Sequence, residues 1–94
     1  MLPLGSIDER RSRYADKPAL FADGREIAHL EAPGVIDLRI TRAGWLQARE
    51  GFRSDPAVRR DPSRRDWLEL VLRSAADVER RTGLLTVAVA ANLH

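Results

Sequence analysis

Two tight-turn signals bracket the stretch Arg25–Glu31, with Asp23-Gly24 before it and Ala32-Pro33-Gly34 after it. Asp-Gly suits a two-residue type I′ hairpin, whose central residues both need positive φ, which glycine supplies without a steric clash. Short apolar segments lie on either side, Ala19-Leu20-Phe21-Ala22 before and Val35–Ile40 after. The three segments therefore read as an antiparallel meander. Pro18–Ala22 pairs with Arg25–Glu31, and that strand turns at Ala32-Pro33-Gly34 and returns as Val35–Ile40. Ile36, Leu38 and Ile40 alternate with Asp37 and Arg39, the period-two pattern of a half-buried strand. Ala28 and Leu30 match the buried side, which leaves Ile27, His29 and Glu31 facing the same way as Asp37 and Arg39. A register centred on Pro33 sets His29 opposite Asp37, whereas a slip of one residue would separate them.

The segments outside the meander are read the same way. Ser6-Ile-Asp-Glu9 has capping-box spacing and predicts a short helix over about Ile7–Tyr14, stopping before Lys17-Pro18. Residues 1–5 are expected to be disordered. Thr41 is a good N-cap for a helix over Arg42–Arg53, with Trp45, Ala48 and Phe52 as its core-facing stripe and Leu46 at the margin. Asp55-Pro56 ends it, because the residue before proline is pushed out of the helical region. Val58–Arg60 is a brief edge strand, and Asp66–Leu72 is a strand with Leu68, Leu70 and Leu72 on one face and Trp67, Glu69 and Val71 on the other. Ser74-Ala-Ala-Asp77 caps a final helix reaching about Ala91. Gly83 and the β-branched residues around Thr86 leave a second reading, a helix stopping near Arg81 and then a strand. Capping and periodicity together favour the single helix. The expected fold is one α+β domain over residues 1–94, with an antiparallel sheet of about four to five strands, helices on one face and the order α-β-β-β-α-β-β-α.

A chain of 94 residues buries a small core, so each large apolar side chain counts. The content is 44% hydrophobic and 32% charged, as in globular rather than disordered proteins. Cysteine is absent, which removes disulfides, thiolate metal ligands and thiol nucleophiles together. All but one of the 16 basic residues are arginines, yet the formal charge is only +2, which permits nucleic-acid contact without arguing for it. The N-terminal residues do not read as a signal peptide, and the longest apolar run, Leu84–Ala91, is far short of the ~20 residues a membrane span needs. A cytoplasmic location without membrane contact is expected.

The residues with chemistry are few. His29 beside Asp37 is the first candidate, since a carboxylate fixes an imidazole's tautomer for acid/base work or binding. The plainer reading is a cross-strand pair on a solvated face, worth a few tenths of a kcal/mol. Arg39 and Trp67 join them as a candidate ligand site, with His29 and Arg39 as charged anchors for an anion and Trp67 as a pocket floor. His29, Glu31 and Asp37 are able to converge, but no metal-ligand spacing accompanies them, the other histidine is the terminal His94, and no metal or cofactor is assigned. Arg53, Arg59, Arg60, Arg64 and Arg65, set against Asp55 and Asp61, form an alternative phosphate-binding wing. The final helix offers an apolar surface for a second copy or another protein partner.

The run Gly24-Arg-Glu-Ile-Ala-His29, the strand end Asp37-Leu-Arg-Ile-Thr41, and Asp55-Pro56 and Asp66-Trp67 together resemble a group of small bacterial proteins that carry a luciferase-family name but have no assigned function. The resemblance covers roughly residues 18–91. It implies no flavin chemistry, because flavin-dependent luciferases are much larger barrels. The layout is also similar in topology to frataxin-like double-wing DNA-binding proteins. The expectation is a binding or interaction module, with nucleic-acid binding through residues 53–65 or a small acid/base enzyme using His29 and Asp37 as alternatives.

Overall fold

A computed structural model describes residues 7–11, as backbone, and 18–93. Six strands form one antiparallel sheet in the order β1-β2-β3-β4-β6-β5. They are β1 (Ile7–Arg11), β2 (Pro18–Ala22), β3 (Arg25–Ala32), β4 (Val35–Arg39), β5 (Val58–Arg60) and β6 (Trp67–Val71). Helices α1 (Arg42–Phe52), α2 (Ala75–Arg80) and α3 (Thr82–Asn92) complete the chain. The α+β class, the antiparallel sheet and the helices on one face are as expected.

The meander forms where its turns place it. Asp23 and Gly24 both have positive φ, 51° and 80°, as a type I′ turn requires. His29 pairs with Asp37, Ala28 with Leu38 and Leu30 with Ile36. The row continues into β6, where Asp37 meets Glu69 and Leu38 meets Leu68. The apolar side of this sheet carries the core: Ala28, Leu38, Ile40, Leu68 and Leu70 pack with Leu84 and Ala88 of α3, while Trp45, Ala48 and Phe52 of α1 close over them. Thr41 accepts a hydrogen bond from the Gly44 N–H at 3.0 Å, and Ser74 accepts one from the Asp77 N–H at 3.2 Å, so the expected caps at Thr41 and Ser74 are in place.

Three features differ from the expectation. Ile7–Arg11 is not a helix but an edge strand antiparallel to β2. A two-turn helix is marginal in isolation, and an edge with free hydrogen-bonding groups offers this stretch a full ladder instead. Tyr14, the Ser6 cap and residues 1–5 lie outside the described residues. The final helix is divided at Arg81, whose φ of −105° and ψ of 8° interrupt it, and a helix rather than a strand follows over Thr82–Asn92. The Arg81 side chain is buried and forked onto Asp55 at 2.9 and 2.6 Å, which anchors the break to the loop after α1.

The third difference bears on the site. β3 is bulged twice. Leu20 pairs with Ala28 but Phe21 pairs with Glu26, so Ile27 is an extra residue; Leu30 pairs with Ile36 but Ala32 with Val35, so Glu31 is another. In an unbroken strand Glu26 and His29 would face opposite ways. The bulge at Ile27 brings both to the face away from the helices.

Candidate functional site

That face is organised around His29, which is only 6% exposed. Its Nδ1 donates to Glu26 Oε2 at 3.0 Å, since a carboxylate can only accept. The proton held there leaves Nε2 facing two more carboxylates, Glu31 Oε2 and Asp37 Oδ2, each at 3.1 Å. Glu26 and Asp37 are buried, whereas the Glu31 side chain is 49% exposed. Asp37 Oδ1 is buried and has no hydrogen-bond partner among the described residues. Such an orphan acceptor costs about 1–3 kcal/mol.

Trp67 stands over this group from β6, its ring centroid 5.6 Å from that of His29 and tilted by 51°. Arg64 reaches in from the β5–β6 turn, with Nη1 3.3 Å from Asp37 Oδ2 and its guanidinium 5.3 Å from the centroid of the Trp67 ring. The cation–π contact holds a half-exposed arginine across the carboxylate. Among the described residues, three carboxylates meet here with one imidazole and one guanidinium.

The structure thus gathers His29, Asp37 and Trp67 of the expected ligand site and leaves Arg39 out. Arg39 is Trp67's cross-strand neighbour, but its guanidinium is taken by Asn92 of α3 and by Asp66, at 3.3 Å from the latter. Asn92 also donates to the Arg39 carbonyl oxygen at 2.7 Å, so Arg39 is a clamp between sheet and helix. Glu26 escaped the sequence reading because its role depends on a bulge, which no letter in β3 announces. Arg64 was assigned to the phosphate wing.

The wing itself is not assembled as a free cationic surface. Arg59 pairs with Glu69 at 3.5 Å, Arg53 with Glu50 at 3.7 Å, and Arg60 lies 4.9 Å over the Trp45 ring while donating to the Trp67 carbonyl oxygen at 3.4 Å. Partial burial lowers the pKa of Arg60, and Asp66 opposes that shift. Arg65 is exposed, and Arg53 sits just past the end of α1. Trp45, expected wholly in the core, is half-buried with Arg60 across one face.

On the opposite, helix-bearing face, an apolar groove of about 190 Å³ runs beside Leu20, Leu30 and Ile36, beyond the reach of α3. α3 itself packs on the sheet through Leu84, Ala88 and Asn92. No helix among the described residues is long and apolar enough to cross a membrane. Set against known protein families, curated proteins and solved structures, the chain matches none.

Proposed function

We propose that the chain is a small binding module whose ligand is a cation, held on the polar face of the sheet at His29, Glu31 and Asp37 beneath Trp67. One observation carries the reading: three carboxylates surround a single buried imidazole, and one buried oxygen of Asp37 has no donor among the described residues. An anion anchored by His29 and Arg39 is disfavoured, because Arg39 is engaged elsewhere and both ring nitrogens of His29 face carboxylates. Nucleic-acid binding finds less support, since Arg53, Arg59, Arg60 and Arg64 each have an intramolecular partner. The resemblance of residues 18–91 to the luciferase-named bacterial group supports common membership and adds no chemistry to the site.

The test is a nuclear magnetic resonance titration of the whole chain with small cations, including alkylammonium, guanidinium and divalent ions, and with phosphate and acetate as anionic counterparts. Saturable shifts at the His29 ring and Trp67 indole with at least one cation, and none with the anions, are expected. Shifts produced only by phosphate, or by nothing in either set, would sink the reading.

A further inference from the structure

We infer that the cation is a divalent first-row transition-metal ion, bound by His29 Nε2, Glu31 and Asp37, with Glu26 as the carboxylate that orients the histidine; this inference rests on the cation reading above. The ligand atoms of these three residues all lie within 4.8 Å of one another. Two donors, each about 2.1 Å from a metal ion, are separated by roughly 3.0 Å at a right angle and roughly 3.4 Å at the tetrahedral angle. His29 Nε2 stands 3.1 Å from both Glu31 Oε2 and Asp37 Oδ2, within that span. The remaining edge is closed by Glu31, whose side chain is half-exposed.

Nδ1 directs its hydrogen at Glu26, which leaves Nε2 as the ligating nitrogen toward both facing oxygens. Asp37 supplies an independent sign. Its side chain is 5% exposed and aimed at Nε2 through Oδ2, yet Oδ1 finds no donor among the described residues. A metal-bound carboxylate that switches to bidentate binding would satisfy both oxygens. The Glu26–His29 bond is the carboxylate–histidine arrangement that fixes the tautomer and strengthens the ligating nitrogen at metal centres.

The donor set selects the ion class. One imidazole nitrogen and two carboxylate oxygens suit zinc, manganese or iron(II), whereas the imidazole argues against magnesium and calcium, which prefer all-oxygen shells. Three protein ligands leave coordination positions for water or a further ligand, as in sites that do chemistry rather than hold a fold together. Arg64 occupies part of this space through Asp37 Oδ2 and must turn outward, which its 44% exposure allows.

The deciding experiment is calorimetric titration of zinc chloride into the tag-free, chelator-stripped whole chain, with circular dichroism confirming the fold of every variant. One ion per chain is expected. Asp37→Asn and His29→Gln should each weaken binding at least about a hundredfold, Glu26→Gln should weaken it about tenfold, and Arg64→Gln should tighten it. If Asp37→Asn does not fold, Glu31→Gln, on the exposed arm, takes its place. Absence of saturable binding at millimolar zinc, equal affinity in the His29→Gln protein, or a signal lost only in His94→Ala would overturn the inference. Should alkylammonium or guanidinium ions shift His29 and Trp67 while zinc does not, the metal falls and the cation reading stands. If no cation does, both fall.

Discussion

Thr41 has φ 68° and ψ 158°, a region that a β-branched residue scarcely enters, and it is held there from several sides. Its N–H donates to the Asp66 carbonyl oxygen at 2.9 Å, the next N–H reaches Asp66 Oδ1 at 2.9 Å, and its hydroxyl caps α1. Strain of this kind costs about 1–3 kcal/mol, whereas exchanging a threonine cap for glycine loses only a few tenths. Thr41→Gly should therefore raise the unfolding free energy by about 1 kcal/mol in urea titration. Thr41→Val, which keeps the strain and loses the cap, should lower it by about 1 kcal/mol. At the same scale, the sequence made His29 and Asp37 visible because cross-strand pairing follows from turn position and alternation alone. It hid the fate of Arg39, because nothing local signals that Asn92, far along the chain, will claim its guanidinium.

Among the elements, those with both a boundary signal and a period were legible: the hairpin at Asp23-Gly24, the return strand to Arg39, and α1 behind its Thr41 cap. Those decided by tertiary competition were not. Ile7–Arg11 carries a helix-start pattern, but the β2 edge outweighs it, and the interruption at Arg81 follows from a buried ion pair to Asp55. The packing of α1 on α3 rests on a different kind of local detail. Gly44 is buried, and a Cβ there would meet Ile40 Cγ1 and Val87 Cγ1 at 3.2 Å, while a Cβ at Gly51 would meet nothing within 4 Å. Gly44→Ala should thus destabilise the protein by about 1–3 kcal/mol through overpacking, despite better helix propensity. Gly51→Ala, free of such contacts, should stabilise it by up to about 1 kcal/mol. Opposite shifts in the thermal midpoints of the two variants are the check.

For the whole molecule, acid is the natural stress. Asp55 is held below the usual carboxylate range first by hydrogen bonding to Arg81, Asp61 by the backbone N–H of Ser63, and Asp77 by the backbone N–H of Arg73. A carboxylate with a depressed folded-state pKa binds fewer protons folded than unfolded, so protonation favours unfolding. Its contribution is complete above the unfolded value near ~3.9 and fades as pH falls through the lower folded one. The melting temperature should accordingly hold steady above about pH 5 and drop steeply below about pH 4. Asp55→Asn should melt lower at pH 7 and show a shallower acid limb, as thermal scans by circular dichroism would reveal. The double bulge of β3 has a consequence for recognising this arrangement elsewhere. Because an extra residue at Ile27 lets Glu26 face His29, a chain with one residue fewer between them would project the same two groups from an unbroken strand. A search that fixes the spacing Glu-x-x-His would hold constant the one interval this sheet is free to vary. The ladder that runs from His29 to Asp37 and on to Glu69 is the better signature.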